Sequence, residues 1–195
     1  MDKKNWKQDL PELALLQKEL KRERYKRRFR KLLRSTVNAL VVVAAVAALI
    51  ATLVLPVLQI AGTSMEPSLN DGDIVLLMKT DRLETGDLCA FYYSNKILIK
   101  RIIAVPGDYL WINPDGTVYL NGTELVEPYV SEKALGECDV QFPYQVPENQ
   151  YFMMGDHRET SIDSRSSVIG SIAEDQIIGK ILCRVWPLEQ FLWMG

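Results

Sequence analysis

Residues 90–104 read AFYYSNKILIKRIIA. Two runs rich in β-branched and aromatic residues, 90–93 and 96–104, flank Ser94-Asn95, so the stretch reads as a β-hairpin. Alternate side chains of a strand share a face. Lys100 therefore stands with Leu98 and Ile102, while its neighbour Arg101 points the other way. A strand lysine commonly serves to discourage edge-to-edge pairing. Lys100 has apolar company instead, and an ammonium in that setting loses hydration, which lowers its pKa from a reference of about 10.4. The hairpin sets two expectations: an antiparallel β fold, and an amine neutral enough to act as a base.

The neighbouring sequence extends the β reading. Residues 73–77 form a short apolar run after the turn Asn70-Asp71-Gly72, and residues 109–112 run into Asn113-Pro114-Asp115-Gly116, a turn by its residue chemistry. Residues 117–120 meet Asn121-Gly122, a strong hairpin signal because both residues tolerate positive φ. Residues 177–185 read as a late strand. Between 126 and 150 the pattern fades into a Pro-containing excursion. The stretch 59–195 is long enough to bury a real core, and is expected to be one mainly β domain with few helices.

Upstream lies a different kind of sequence. From Ser35 to Met65 there is no charged residue, and residues 39–58 read ALVVVAAVAALIATLVLPVL. Twenty such residues at about 1.5 Å each match the roughly 30 Å hydrocarbon thickness of a bilayer. A removable signal peptide has a shorter apolar region behind a short basic head, with small residues at its cleavage point. Here the head exceeds thirty residues and Gln59 stands near the exit, so a retained anchor over 36–58 is expected. Residues 1–35 hold 13 Lys/Arg against 5 Asp/Glu, a net +8, while the rest holds 10 against 20, a net −10. Basic residues flanking a span stay on the cytoplasmic side. The expected topology is single-pass in the cell membrane, with 1–35 cytoplasmic and 59–195 extracytoplasmic.

The basic head reads as a helix running into the span. Asp9 and Glu12 have capping-box spacing, Leu13, Leu16 and Leu20 share a face, and Glu23 with Arg27 is an i,i+4 pair. Its place beside a span favours contact with membrane lipid, Lys31 and Arg34 meeting anionic headgroups, over nucleic-acid binding. Phe191, Leu192 and Trp193 fit either the membrane interface or the core.

Three segments carry chemistry. Ser64 lies in a loop between the apolar run and the first strand, in the sequence Gly62-Thr63-Ser64-Met65-Glu66-Pro67-Ser68. Most loop serines are solvated turn formers, but a serine becomes a nucleophile when a neutral lysine takes its proton. Residues 154–165 are dense in hydroxyls, carboxylates and guanidiniums, as in a solvated loop or a shell that orients other groups. His157 there could be imagined as a base; it sits among charges, and Lys100 has the better setting. Cys89, Cys138 and Cys183 allow at most one disulfide, with no pairing indicated. Cys89 and Cys183 sit in strand-like apolar runs and read as buried thiols. One histidine and no paired cysteine motif offer no zinc site.

In order and spacing, Ser64-Met65-Glu66-Pro67, Gly72-Asp73-Ile74-Val75, Lys100-Arg101-Ile102-Ile103-Ala104-Val105-Pro106-Gly107-Asp108 and Gly155-Asp156-His157-Arg158 through Ser161, Asp163, Ser164 and Arg165 resemble type I signal peptidases. These are membrane-anchored serine/lysine proteases that remove signal peptides. The resemblance covers about 36–186 and leaves out the amino-terminal head and the 126–150 excursion. It implies Ser64 as nucleophile, Lys100 as general base, Ser161 orienting the lysine amine, and Asp163 with Arg165 as a salt bridge beside them. Met65 is expected to help cover the amine.

The implied enzyme needs no cofactor, works as a monomer and takes secretory preproteins, with Ala-like residues at the first and third positions before the cut. Two departures stand out. His157 replaces the family's asparagine, and Gly62 stands where many members carry a serine that helps bind the oxyanion. Gram-positive members resemble this chain in that glycine. The competing readings are a Ser/Lys protease with another target and a non-catalytic, membrane-tethered binding module of the same fold.

Overall fold

The computed structural model describes residues 13–54, 56–80 and 82–194. It divides into two units, Met1–Thr52 and Leu53–Gly195. One helix, α1 (Leu13–Val54), all but its last two residues in the first unit, runs for 42 residues without a break, about 60 Å and roughly twice a bilayer's hydrocarbon thickness. It includes a stretch long and apolar enough to cross a membrane. The expected passage from basic head into apolar span is thus a single helix. The capping residues Asp9 and Glu12 lie outside the described residues.

The helix ends before Pro56, which has no N–H to donate and disfavours helix at the residue before it. Val57 and Leu58, expected inside the span, belong instead to strand β1 (Val57–Gln59), paired antiparallel with β2 (Ile74–Met78). An apolar run encodes burial without saying whether lipid or a sheet provides it, so the 58 boundary is corrected to Val54 for the helix.

The second unit is antiparallel β, as expected. The other strands are β3 (Leu88–Tyr93), β4 (Lys96–Ala104), β5 (Tyr109–Ile112), β6 (Val118–Leu120), β7 (Thr123–Glu124), β8 (Tyr144–Gln145), β9 (Gln150–Met154), β10 (Ile172–Ala173), β11 (Ile177–Trp186) and β12 (Leu192–Trp193). One sheet runs β1-β2-β11-β3-β4-β9-β10, with β12 on β11, and a smaller one runs β7-β6-β5-β8. The hairpin at Ser94-Asn95 forms β3 and β4, with Ser94 at φ 52°. The turn at Asn121-Gly122 joins β6 to β7, both residues at positive φ.

Strand β9 has no period-2 signature because Tyr151, Phe152, Met153 and Met154 are all buried, so both faces are covered. A sequence of that kind reads as a strand only when its neighbours are known. Its place matters for the site. Strand β4 pairs with β3 over its first six residues, but with β9 only from Arg101 onward. Residues 96–100 therefore keep one ladder edge open among the described residues, and Lys100 is the last of them.

Candidate active site

Ser64 sits in the connection between β1 and β2. Backbone bonds between Ile60 and Asp73 (2.8 Å) and between Gly72 and Ile60 (3.0 Å) close the base of this loop. Met65 and Leu69, both buried, anchor its far side in a core with Val75, Leu77, Leu88 and Ile181. The Gly62 N–H donates to Asp71 Oδ1 at 2.7 Å, and Gly62 holds φ +95°. A φ so far beyond the left-handed helical region is readily open only to glycine. The Ser64 carbonyl accepts the His157 N–H at 3.2 Å, which ties the loop to the segment after β9.

Lys100, from the far side of the sheet path, lies with Nζ 2.8 Å from Ser64 Oγ. Only 4% of the lysine is exposed. Ser64 and Lys100 share a groove of about 220 Å³ whose walls include Ile60, Ala61, Gly62, Met65 and residues 97–99. Lys100 is buried, and Met65 lines the same groove.

Burial pulls the Lys100 amine down from 10.5 to about 8, against the pull of Asp163, which favours the charged form; Arg165 adds to the depression and Asp156 opposes it. Near neutrality a useful fraction of the amine is therefore unprotonated. In that state its lone pair can accept the Ser64 hydroxyl proton across the 2.8 Å contact. The Ser64 N–H enters no hydrogen bond among the described residues. It remains free to stabilise an oxyanion.

Asp163 and Arg165 form a doubly hydrogen-bonded pair, Nε to Oδ1 and Nη2 to Oδ2 both at 2.8 Å, with both side chains fully buried. Burial pushes the Asp163 carboxyl up, yet the hydrogen bonds and charge of Arg165, with the Gly155 N–H, outweigh it and hold the pKa below the usual carboxylate value. Ser161 Oγ is buried and has no hydrogen bond of good geometry among the described residues, to Lys100 or otherwise, although the hydroxyl lies close enough to Asp163 to help lower its pKa. A Cβ added at Gly155 would collide with Ser161 Oγ and lie 2.5 Å from the Ser64 carbonyl oxygen. Gly155 is thus a thin wall against which Ser64 and Ser161 both pack.

Other residues of this shell carried no role in the sequence reading. Arg101 clamps Asp156 through two bonds of 2.8 and 2.6 Å and also reaches the Gly86 carbonyl at 2.7 Å. Arg158 pairs with Glu127 with both side chains fully buried. Arg165 donates to the Leu135 carbonyl at 2.6 Å. The 126–150 excursion thus packs directly against the 154–165 segment. Asp73, in the second motif, is bonded to Arg184 at 2.8 Å and fixes the loop that follows Ser64. The charge density of 154–165 was a signal, but sequence separation hid the partners Glu127 and Arg184.

The His157 ring bonds Thr160 Oγ1 at 3.0 Å, so its described partner is a neighbour within its own loop. The three cysteines are free, and burial drives the Cys89 thiol up to about 12.

A hydroxyl beside a depressed amine in an open groove, on an antiparallel β scaffold, is an arrangement able to attack a carbonyl carbon. Comparison with known proteins gives the family. Residues 33–186 match the family described as signal peptidase, peptidase S26. The chain is 37% identical over 152 residues to signal peptidase IB of Staphylococcus aureus, covering 68% of this chain and 78% of that one. It is 35% identical over 144 residues to signal peptidase I of Bacillus licheniformis, covering 67% and 76%. A crystal structure of a signal peptidase I from Enterococcus faecalis V583 aligns with a TM-score of 0.44 at 25% identity, over 52% of this chain and 98% of that one. This chain belongs to the signal peptidase family, peptidase S26, and is a peptidase.

Proposed function

We propose that the chain is a membrane-anchored endopeptidase that removes signal peptides from exported preproteins, with Ser64 as nucleophile and Lys100 as general base. The observation that carries the reading is the 2.8 Å approach of Lys100 Nζ to Ser64 Oγ with the amine depressed to about 8. An extended substrate enters the groove beside residues 97–99 and adds to the open edge of β4 by main-chain hydrogen bonds. Ser64 Oγ attacks the scissile carbonyl as Lys100 accepts its proton, and the free Ser64 N–H receives the oxyanion. The lysine then protonates the leaving amine. Water, deprotonated by the same lysine, hydrolyses the acyl-enzyme and restores Ser64. Asp163 and Arg165 hold the floor of the site without a net charge. Ser161 is the hydroxyl next to this assembly, and its role is to orient the amine when substrate closes the groove.

In this reading the apolar part of α1 is a single-pass anchor with the basic amino-terminal segment inside. Anchoring confines enzyme and preprotein to one plane and raises their encounter rate. The protein acts as a monomer and needs no cofactor or metal. Full-length protein incubated with a model preprotein tests the dyad: Ser64→Ala and Lys100→Met each abolish cleavage while the fold is retained. Cleavage by either variant at the parent's rate would refute it.

A further inference from the structure

Glu127 lies in the segment between β7 and β8, outside every motif that carries the family resemblance. Its side chain is fully buried, as is that of Arg158, and the two are joined by a pair of hydrogen bonds. The Tyr129 hydroxyl donates to the same carboxylate at 3.2 Å, and the Tyr129 ring lies 3.9 Å from the Arg101 guanidinium carbon. Arg158 Nε in turn donates to the Gly155 carbonyl at 3.1 Å. Glu127 therefore has two lines of contact toward the site, one ending on Gly155 and one on Arg101.

Both end points are places where a small displacement matters. Gly155 is packed so closely against the Ser64 carbonyl that a methyl group has no room, so a shift of its backbone moves the nucleophile's residue. Arg101 is the first residue of β4 held by β9, and Lys100, the next one back, has an open edge. This part of β4 is laddered to β3 alone, and a segment held on one edge is displaced more easily than one held on both unless something clamps it. The Asp156 clamp and the stacked Tyr129 ring do so. Stability alone gives this pair little reason to be charged, since apolar residues of similar volume commonly serve as well or better.

We propose that Glu127 and Tyr129 are positioning residues of the peptidase, Glu127 acting through Arg158 on Gly155 and Tyr129 through Arg101 on the strand that carries Lys100. The proposal rests on the Ser64/Lys100 reading above. It assigns the 126–150 segment a function: a brace that spans from the small sheet to the site and holds nucleophile and base in register.

The test compares the full-length chain with Glu127→Met/Arg158→Met, Tyr129→Leu, Tyr129→Phe and Ser64→Ala, using a model preprotein and thermal melts of each. The double variant leaves no buried charge unpaired and keeps its fold. Its kcat falls about a hundredfold with KM within about threefold, because geometry is lost and substrate contacts are kept. Tyr129→Leu loses about tenfold in kcat, and Tyr129→Phe, which keeps the ring over Arg101, stays within about threefold of the parent. If Ser64→Ala is inactive while the double variant and Tyr129→Leu turn over like the parent, these residues only fill space and the proposal is overturned. If Ser64→Ala itself cleaves, the dyad reading falls and takes the proposal with it.

Discussion

Replacing Lys100 by methionine removes a buried amine while keeping most of the side chain's volume and apolar contact. In the fold the amine titrates near 8 rather than 10.5, and the lysine is 4% exposed. That difference corresponds to about 3 kcal/mol of disfavoured charge. The sign follows from proton binding. Below pH 8 folded and unfolded chains both carry the proton, and the fold bears the whole cost. Between 8 and 10.5 the unfolded chain keeps the proton while the folded chain has released it, so wild-type stability gains on the variant as pH rises through this window.

Lys100→Met is therefore more stable than wild type by up to about 3 kcal/mol at pH 7, less whatever its lost contact with Ser64 costs, and further acid adds nothing. By pH 9.5 the advantage shrinks by about 2 kcal/mol. Urea melts of the detergent-solubilised chains, followed by tryptophan fluorescence across this range, read the difference. The same amine governs activity: log kcat/KM rises with unit slope toward pH 8 and levels above it, since the rising limb reports the free enzyme's base. A stability difference independent of pH between 7 and 9.5, or an activity limb still rising at pH 10, would show Lys100 to be an ordinary solvated lysine.

Protease added outside intact cells should degrade the β domain and spare the amino-terminal basic segment; protection of the β domain would overturn the topology. His157→Asn should retain most of the parent's preprotein cleavage, because the described partner of its ring is Thr160; a loss beyond about a hundredfold, comparable with removing a general base, would contradict the lysine assignment. Gly62→Ser should lower rather than raise kcat, although space for a Cβ is open there, because φ +95° strains any L side chain by about 1–2 kcal/mol; a gain in kcat would mean that serine supplies the oxyanion donor without this cost. Asp163→Asn should destabilise the β domain by about 3–5 kcal/mol by leaving the Arg165 guanidinium buried and unpaired; unchanged urea melts would remove that pair from the frame of the site.

Features written within a few residues were legible in the sequence. The hairpin around Ser94-Asn95, the positive-φ turn at Asn121-Gly122 and the apolar face of Lys100 are local patterns, and the structure has each of them. The motifs in their order carried the family resemblance, and the resemblance implied the candidate nucleophile and base. What needed the tertiary structure is every relation between distant segments. Val57 and Leu58 look identical to a span until β2 is there to pair with them. The all-apolar strand β9 has no periodicity to announce it, yet its ladder decides where the edge of β4 opens.

The approach of Ser64 to Lys100, the burial of the Ser161 hydroxyl and the burial of Glu127 against Arg158 are likewise results of packing. The physical reason is the range of each cause. Backbone preference and side-chain alternation act over a few residues and leave a trace in the letters. A buried charge or an unpaired edge is defined by what the rest of the chain brings to it.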